Sequence, residues 1–182
     1  GTEYAEEMLV EDGVLYLALG TSELDRRGEG LFARNEPAPA NFRAIAAVDA
    51  ESGRMLWKKA FDPAEFLLPL TLAVDGGGLY CQTTAGMTRL DARTGELVWQ
   101  TPRETPRRRM SFSAPTLVIA GDVALLADRN PSQSEDSIEA GSALAWGVNG
   151  WEEIGFERKS PCTLTAYDAA TGKELWEAPC SE

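Results

Sequence analysis

The chain contains no histidine. That removes the commonest general base and the commonest neutral metal ligand, and with them any Ser–His or Cys–His dyad built within the chain. Cysteine is scarce, three in 182 residues, with no CxxC spacing and no Cys/His cluster, so a zinc or c-type haem site has no support. No apolar run approaches the ~18–20 residues that a membrane-spanning helix needs. Positive charge is in deficit too: 17 Lys and Arg against 29 Asp and Glu leave a net charge of −12. Such a surface repels phosphate backbones and anionic lipid heads, which argues against nucleic acid and membrane surfaces as partners. The initial Met is also missing, as expected of a mature product, an internal fragment or an excised piece. What remains is 43% hydrophobic residues, enough to core one ordinary domain or a piece of a larger one.

Within that remainder one ten-residue string is spelled three times: VDAESGRMLW (Val48–Trp57), LDARTGELVW (Leu90–Trp99) and YDAATGKELW (Tyr167–Trp176). Asp49 and Asp91 lie 42 residues apart, the length of one four-stranded propeller blade. Asp91 and Asp168 lie 77 apart, so the third copy carries an insertion. Each copy has the same lead-in, an apolar run, a Gly/Asp turn and a second apolar run: EDGVLYLAL, GGGLYCQT and AGDVALLAD follow MLV, LTLAV and TLVIA. That pattern predicts a β-hairpin, and the ten-mer predicts a second. In the ten-mer, Asp accepts from backbone amides two or three residues on, and Thr or Ser supports the same turn. Gly53, Gly95 and Gly172 supply the positive φ that the turn demands. Trp57, Trp99 and Trp176, four residues after each Gly, fall on the outer strand, where a flat ring with one N–H suits packing on a neighbouring blade.

The pattern A-x-D-x-x-[ST]-G-x-x-x-W resembles the tryptophan-docking repeat of the quinoprotein (PQQ-like) β-propeller family. Ala47, Asp49, Ser52, Gly53 and Trp57 match it, as do Ala166, Asp168, Thr171, Gly172 and Trp176. The middle copy has Arg89 in place of Ala and otherwise matches through Asp91, Thr94, Gly95 and Trp99. The resemblance implies an all-β fold, a β-propeller of four-stranded antiparallel blades. About three blades fall in residues 1–182, at about 6–61, 66–102 and 110–180, as part of a ring of six to eight. Three blades leave open faces and raw strand edges. The expected partners are therefore other propeller blades, from another chain, from the same protein or from a self-associated copy.

Both long insertions, at about 20–43 and 129–161, fall between the second and third strands of their blades, so they emerge on one face. The second insertion predicts a short helix in Ser134–Trp146 with Ser134 as its cap. It also holds Trp146, Trp151, Glu152, Glu153 and Phe156. These residues form either a partner-binding surface or the loop's own small core. Arg103, Arg107, Arg108 and Arg109, in the connector that shares this face, read either as an anion or acidic-partner site or as a solvated linker.

Cys81 reads as a small core residue. Cys162 and Cys180 each lie nine residues from Thr171, so regular pairing brings them opposite each other and predicts a disulfide. A disulfide in turn implies an oxidising compartment, periplasmic or extracellular. No catalytic or metal-binding residue is assigned, and no cofactor is expected in this chain. The leading expectation is a non-catalytic scaffold or protein-interaction module, akin to the outer-membrane assembly lipoproteins of the repeat family. The alternatives are a segment of a quinoprotein dehydrogenase, whose relatives hold pyrroloquinoline quinone and Ca²⁺, or the accessory propeller of a multidomain enzyme.

Overall fold

The computed structural model describes residues 5–20, 44–62, 65, 67, 68, 70–103, 105, 115–129 and 162–180. They build three four-stranded antiparallel sheets, each a simple meander. The first holds β1 (Ala5–Glu11), β2 (Val14–Leu19), β3 (Ala44–Asp49) and β4 (Met55–Ala60). The second holds β5 (Ala73–Asp75), β6 (Gly78–Thr83), β7 (Gly86–Asp91) and β8 (Leu97–Pro102). The third holds β9 (Thr116–Ala120), β10 (Val123–Arg129), β11 (Cys162–Asp168) and β12 (Glu174–Cys180). Their first strands adjoin, β1 beside β5 and β5 beside β9, which places β1, β5 and β9 towards a common axis. This is the all-β, bladed architecture that the repeat predicts.

The strand sequences follow from position in the blade. Middle strands are buried on both faces, so they drop the apolar–polar alternation of a half-exposed strand: Gly78–Thr83, between two sheets, and Ala44–Val48, in the first sheet, are buried throughout. The outer strands β4 and β8 alternate between exposed and half-buried side chains. One core lies between the first two sheets, where Tyr16, Ile45 and Ala47 meet Leu67, Leu79, Cys81 and Leu90. A second lies between the second and third, where Tyr80 and Met87 meet Leu126 and Tyr167. A third cluster, including Leu17, Ala46 and Val48, lies on the other face of the first sheet. Burial at this density stabilises by about 25 cal/mol per Å² of apolar surface. It lifts the Cys81 thiol well above its ordinary pKa, as befits an inert core residue.

Each repeat also carries a β-bulge that its sequence does not announce. Trp57 pairs with Ala47 and Met55 with Val48, which leaves Leu56 without a partner. The same shift leaves Val98 and Leu175 unpaired in the other two sheets. A bulge adds twist and re-aims the next side chain. Here the next side chain is the tryptophan, and the bulged residues Leu56, Val98 and Leu175 are themselves exposed.

Candidate functional site

The repeated turn is built the same way three times. Asp49 Oδ1 accepts from the Ser52 amide at 2.7 Å and from its hydroxyl at 2.5 Å. Asp91 Oδ1 accepts from Thr94 at 2.8 and 3.0 Å, and Asp168 Oδ1 from Thr171 at 2.8 and 2.7 Å. The hydroxyl hydrogen bond, then the amide, holds each carboxyl below its usual pKa. The following alanine ties the turn to the blade's first hairpin: the amides of Ala50, Ala92 and Ala169 donate to the carbonyls of Gly13, Gly77 and Asp122.

The alanine carbonyl then faces the preceding blade. Trp57 Nε1 donates to Ala92 O at 3.0 Å, and Trp99 Nε1 to Ala169 O at 3.1 Å. Each indole lies against the glycine of the next turn. A Cβ on Gly95 would stand 2.7 Å from Trp57 Cε3, and one on Gly172 would stand 2.5 Å from Trp99 Cε3. Glycine is thus required there for close approach as well as for φ near +70°, a role that the turn sequence alone does not reveal. Tyr16 and Tyr80 back the two indoles at centroid distances of 6.2 and 6.1 Å.

Arg89, the departure from the repeat pattern, is accommodated by a second departure. Its guanidinium lies over the Tyr80 ring at 5.6 Å. Gly78 occupies the position that Val14 and Val123 hold in the other blades, and a Cβ there would meet Arg89 Nε at 2.6 Å. Arg89 Nε is buried and has no hydrogen-bond partner among the described residues.

The connections from β2 to β3 and from β10 to β11 leave the blades at the same end as the blade-to-blade connectors. The base of this face is polar and tightly tied. Gln82, fully buried, donates through Nε2 to Thr105 Oγ1 at 3.0 Å and to Asp128 Oδ2 at 3.1 Å. Arg103 Nη1 stands 3.9 Å from the same carboxylate oxygen. Gln82 Oε1 and Arg103 Nη1 are buried without hydrogen-bond partners among the described residues. Nearer the axis, Glu7 accepts from the amides of Leu70 at 2.8 Å and Leu72 at 3.0 Å. It thereby clamps the first connector, where Leu70 adopts φ +61°. Burial raises the Glu7 pKa despite these amides, which pull the other way.

Of the residues singled out in the sequence, the repeat positions and both outer cysteines fall within the described structure. Cys162 and Cys180 are direct partners in the β11–β12 register. Arg107, Arg108, Arg109, Trp146, Trp151, Glu152, Glu153, Phe156 and the helix expected at 134–146 lie outside the described residues. Sequence reading missed Gln82, Asp128 and Glu7, which sit in ordinary strand sequence and gain meaning only from neighbours far along the chain.

A calcium–quinone centre needs several oxygen donors around one cation. The described residues hold no group of three carboxylates, cysteines or histidines close enough to share a metal. The buried carboxylate at this face, Asp128, lies beside the Arg103 guanidinium, which competes with a cation for it. These residues do not fit that centre.

Comparison with known proteins agrees with the architecture. The chain is 24% identical over 97% of its length to a 1-butanol dehydrogenase (quinone) from Thauera butanivorans, of which it spans 23%. It is 26% identical over 72% of its length to the quinohemoprotein alcohol dehydrogenase ADH IIB of Pseudomonas putida, of which it spans 17%. The chain therefore corresponds to less than a quarter of these curated relatives. Among solved structures it superimposes on a europium-containing methanol dehydrogenase with a TM-score of 0.55 and 15% identity, over 100% of this chain and 26% of that one. On the quinohemoprotein alcohol dehydrogenase ADHIIG of Pseudomonas putida the TM-score is 0.51 and the identity 20%, over 97% and 22%. These likenesses show the propeller fold. The family model for the outer membrane protein assembly factor BamB matches residues 27–140, more than half of the chain. With its three bladed sheets and threefold Asp–Gly–Trp repeat, the chain belongs to that PQQ-like repeat family, as a partial propeller.

Proposed function

We propose that the chain works as a binding scaffold, a propeller segment that presents an elaborated loop face to a protein partner outside the cytoplasm. The observation that carries this reading is the placement of both long insertions. Between Leu19 and Ala44, and between Arg129 and Cys162, the chain leaves the blades at one end. The second blade closes the equivalent connection with a two-residue turn, Thr84–Ala85. Blades that need only to pack gain nothing from such insertions, and loops held on a rigid frame are where binding residues concentrate. The tied base formed by Gln82, Asp128, Arg103 and Glu7 supplies that frame. The family match to an outer-membrane assembly factor supports both the scaffold role and the extracytoplasmic setting.

A second reading rests on the curated relatives, three of them named as quinone or quinohemoprotein alcohol dehydrogenases. In it the chain is a segment of such an enzyme that shares in holding its quinone and calcium, or an accessory propeller of one. Two measurements separate the readings. Titration of the chain with pyrroloquinoline quinone and Ca²⁺, followed by tryptophan fluorescence, is expected to show no saturable binding. Capture from an envelope extract is expected to retain a protein that is lost when residues 130–161 are replaced by a two-residue turn. Saturable quinone binding, with the same capture before and after that replacement, would favour the dehydrogenase segment.

A further inference from the structure

The cysteines of the third blade take no part in the binding role. Cys162 opens β11 and Cys180 closes β12, and the register sets them directly opposite each other. Backbone direction fixes which kind of cross-strand pair they form. The Ala169 amide donates to Asp122, on the β10 side, and the Asp168 amide donates to Lys173, within the last hairpin. β11 pairs with β10 without a shift from Asp168 to Cys162, so its backbone groups alternate between the two neighbouring strands along its whole length. Cys162, an even step from Asp168, therefore directs its amide and carbonyl at Cys180. A pair of this kind has Cα atoms ~5.5 Å apart, well inside the range that a disulfide spans. Directly opposite residues also send their side chains to the same face of the sheet.

The two thiols differ in access: Cys180 is exposed and Cys162 half-buried. The exposure of Cys180 belongs to its place in the blade. Ala60 and Pro102 hold the same position in the first two sheets, opposite Ala44 and Gly86, and both are exposed although another blade follows. Cys81 is the contrast. It is fully buried, and desolvation pushes its thiol pKa up, which withholds the thiolate that exchange chemistry needs. An exposed thiol with a second one within bonding reach has what exchange requires, and exposed disulfides are the exchangeable ones.

We propose that Cys162 and Cys180 are a reversible thiol–disulfide exchange site whose co-substrate is a low-molecular-weight disulfide. The Cys180 thiolate attacks one sulfur of the external disulfide, releases one thiolate and becomes a mixed disulfide. The Cys162 thiolate then attacks the Cys180 sulfur and releases the second thiolate. The two protons lost by the cysteines end on the two released thiols, and two electrons pass from the pair to the external disulfide. The new bond ties β12, the edge strand of its sheet, to β11 where the chain re-enters from the second insertion. Oxidation thus fastens the foot of the loop-bearing face. Such a site is compatible with both the scaffold and the dehydrogenase roles and depends on neither.

The test incubates the purified 182-residue chain, kept folded as judged by far-UV circular dichroism, across a series of reduced-to-oxidised glutathione ratios. Samples are quenched with acid, alkylated and mapped by mass spectrometry. The expected result is a single two-electron transition. Two of the three thiols disappear, a Cys162–Cys180 cross-linked peptide appears, and excess reduced glutathione restores both thiols without unfolding. Cys162→Ser is expected to stop at one glutathione per chain, held on Cys180, and Cys180→Ser to lose most of that capture. Three thiols at every ratio in the folded chain would overturn the site. So would glutathione on both cysteines with no cross-link, or a cross-link that forms only in urea. A cross-link that reduced glutathione leaves intact until the chain is unfolded would make the bond purely structural and overturn exchange. A cross-link to Cys81 would overturn the strand register as well; the other outcomes leave the propeller standing.

Discussion

Trp99 shows what a single residue contributes. Its ring fills the junction between the second and third sheets, and its N–H reaches a carbonyl 70 residues away. Replacement by alanine opens a cavity and leaves Ala169 O with one donor fewer, since the Tyr80 hydroxyl at 3.4 Å is a poor substitute. The expected loss is about 3 kcal/mol, read from urea unfolding. The same change at Trp176 in a monomer is expected to cost below about 1 kcal/mol, because that ring is largely in water. The glycines give a matched comparison. Gly53 and Gly172 share φ near +70°, so alanine at either costs about 1–2 kcal/mol for the left-handed backbone alone. Only at Gly172 does the new Cβ also strike an indole, which adds about 1–3 kcal/mol of overpacking. Equal losses at the two sites would show that no ring lies on Gly172. At this scale the sequence reveals that each glycine belongs to a turn. It does not reveal that a ring rests on it, because the ring arrives from another blade.

The turn and the hairpin are the next level. Asp49, Asp91 and Asp168 have folded-state pKa values lowered by the Ser or Thr hydroxyl and then by the amides. A lowered carboxylate pKa gives stability that is present above the unfolded value, ~3.9 for Asp, and is lost as pH falls through the lower folded value. Glu7 works in the other sense. Its pKa is raised by burial, so its contribution is fully present below the unfolded value and is lost as pH rises through the folded one. Unfolding midpoints in urea are therefore expected to fall as pH drops below ~4. Conversion of the three aspartates to asparagine should flatten that fall, and an unchanged pH profile would remove the turns as its cause. In the last hairpin, Cys162 stands opposite Cys180. Antiparallel partners have Cα separations of ~4.5–5.5 Å, inside the range a disulfide spans. Mild oxidation is expected to leave one titratable thiol in denaturant, that of Cys81, and to stabilise the fold by about 3 kcal/mol. Three thiols after oxidation would mean that the side chains cannot meet. The register set by the turn, with Tyr167 opposite Glu174, would place Cys162 opposite Pro179. The extra residue at Leu175 shifts the pairing by one and brings Cys162 opposite Cys180, so equal spacing from Thr171 predicts the pair only because of a bulge that the sequence does not announce.

At the scale of the whole molecule, three sheets share one axis and leave two ends. The acidic surface and the loop-bearing face belong to this scale, as does the expected absence of quinone binding. The cores of a partial ring lie between its sheets. Its apolar surface lies between sheets, so what completes it decides how much of that surface leaves water. The division into three blades was legible because a repeat is a statement about period, and a period of about 42 residues fits four short strands and their turns. The polar base of the loop face was not. Gln82 and Asp128 are 46 residues apart and belong to different blades.

The sequence by itself determined the features that depend on neighbours within about four residues. These are the Asp–Thr–Gly turn, the hairpins that flank it, their threefold repetition, and through that repetition the all-β propeller class. Such features are set by backbone sterics and short hydrogen bonds, which act wherever the string occurs. Only the tertiary structure decided which carbonyl each indole reaches, why Gly78 accompanies Arg89, and which carboxylate Gln82 holds. Those contacts join residues brought together by sheet stacking. Their free energy comes from desolvation and close packing between blades, which no local string encodes.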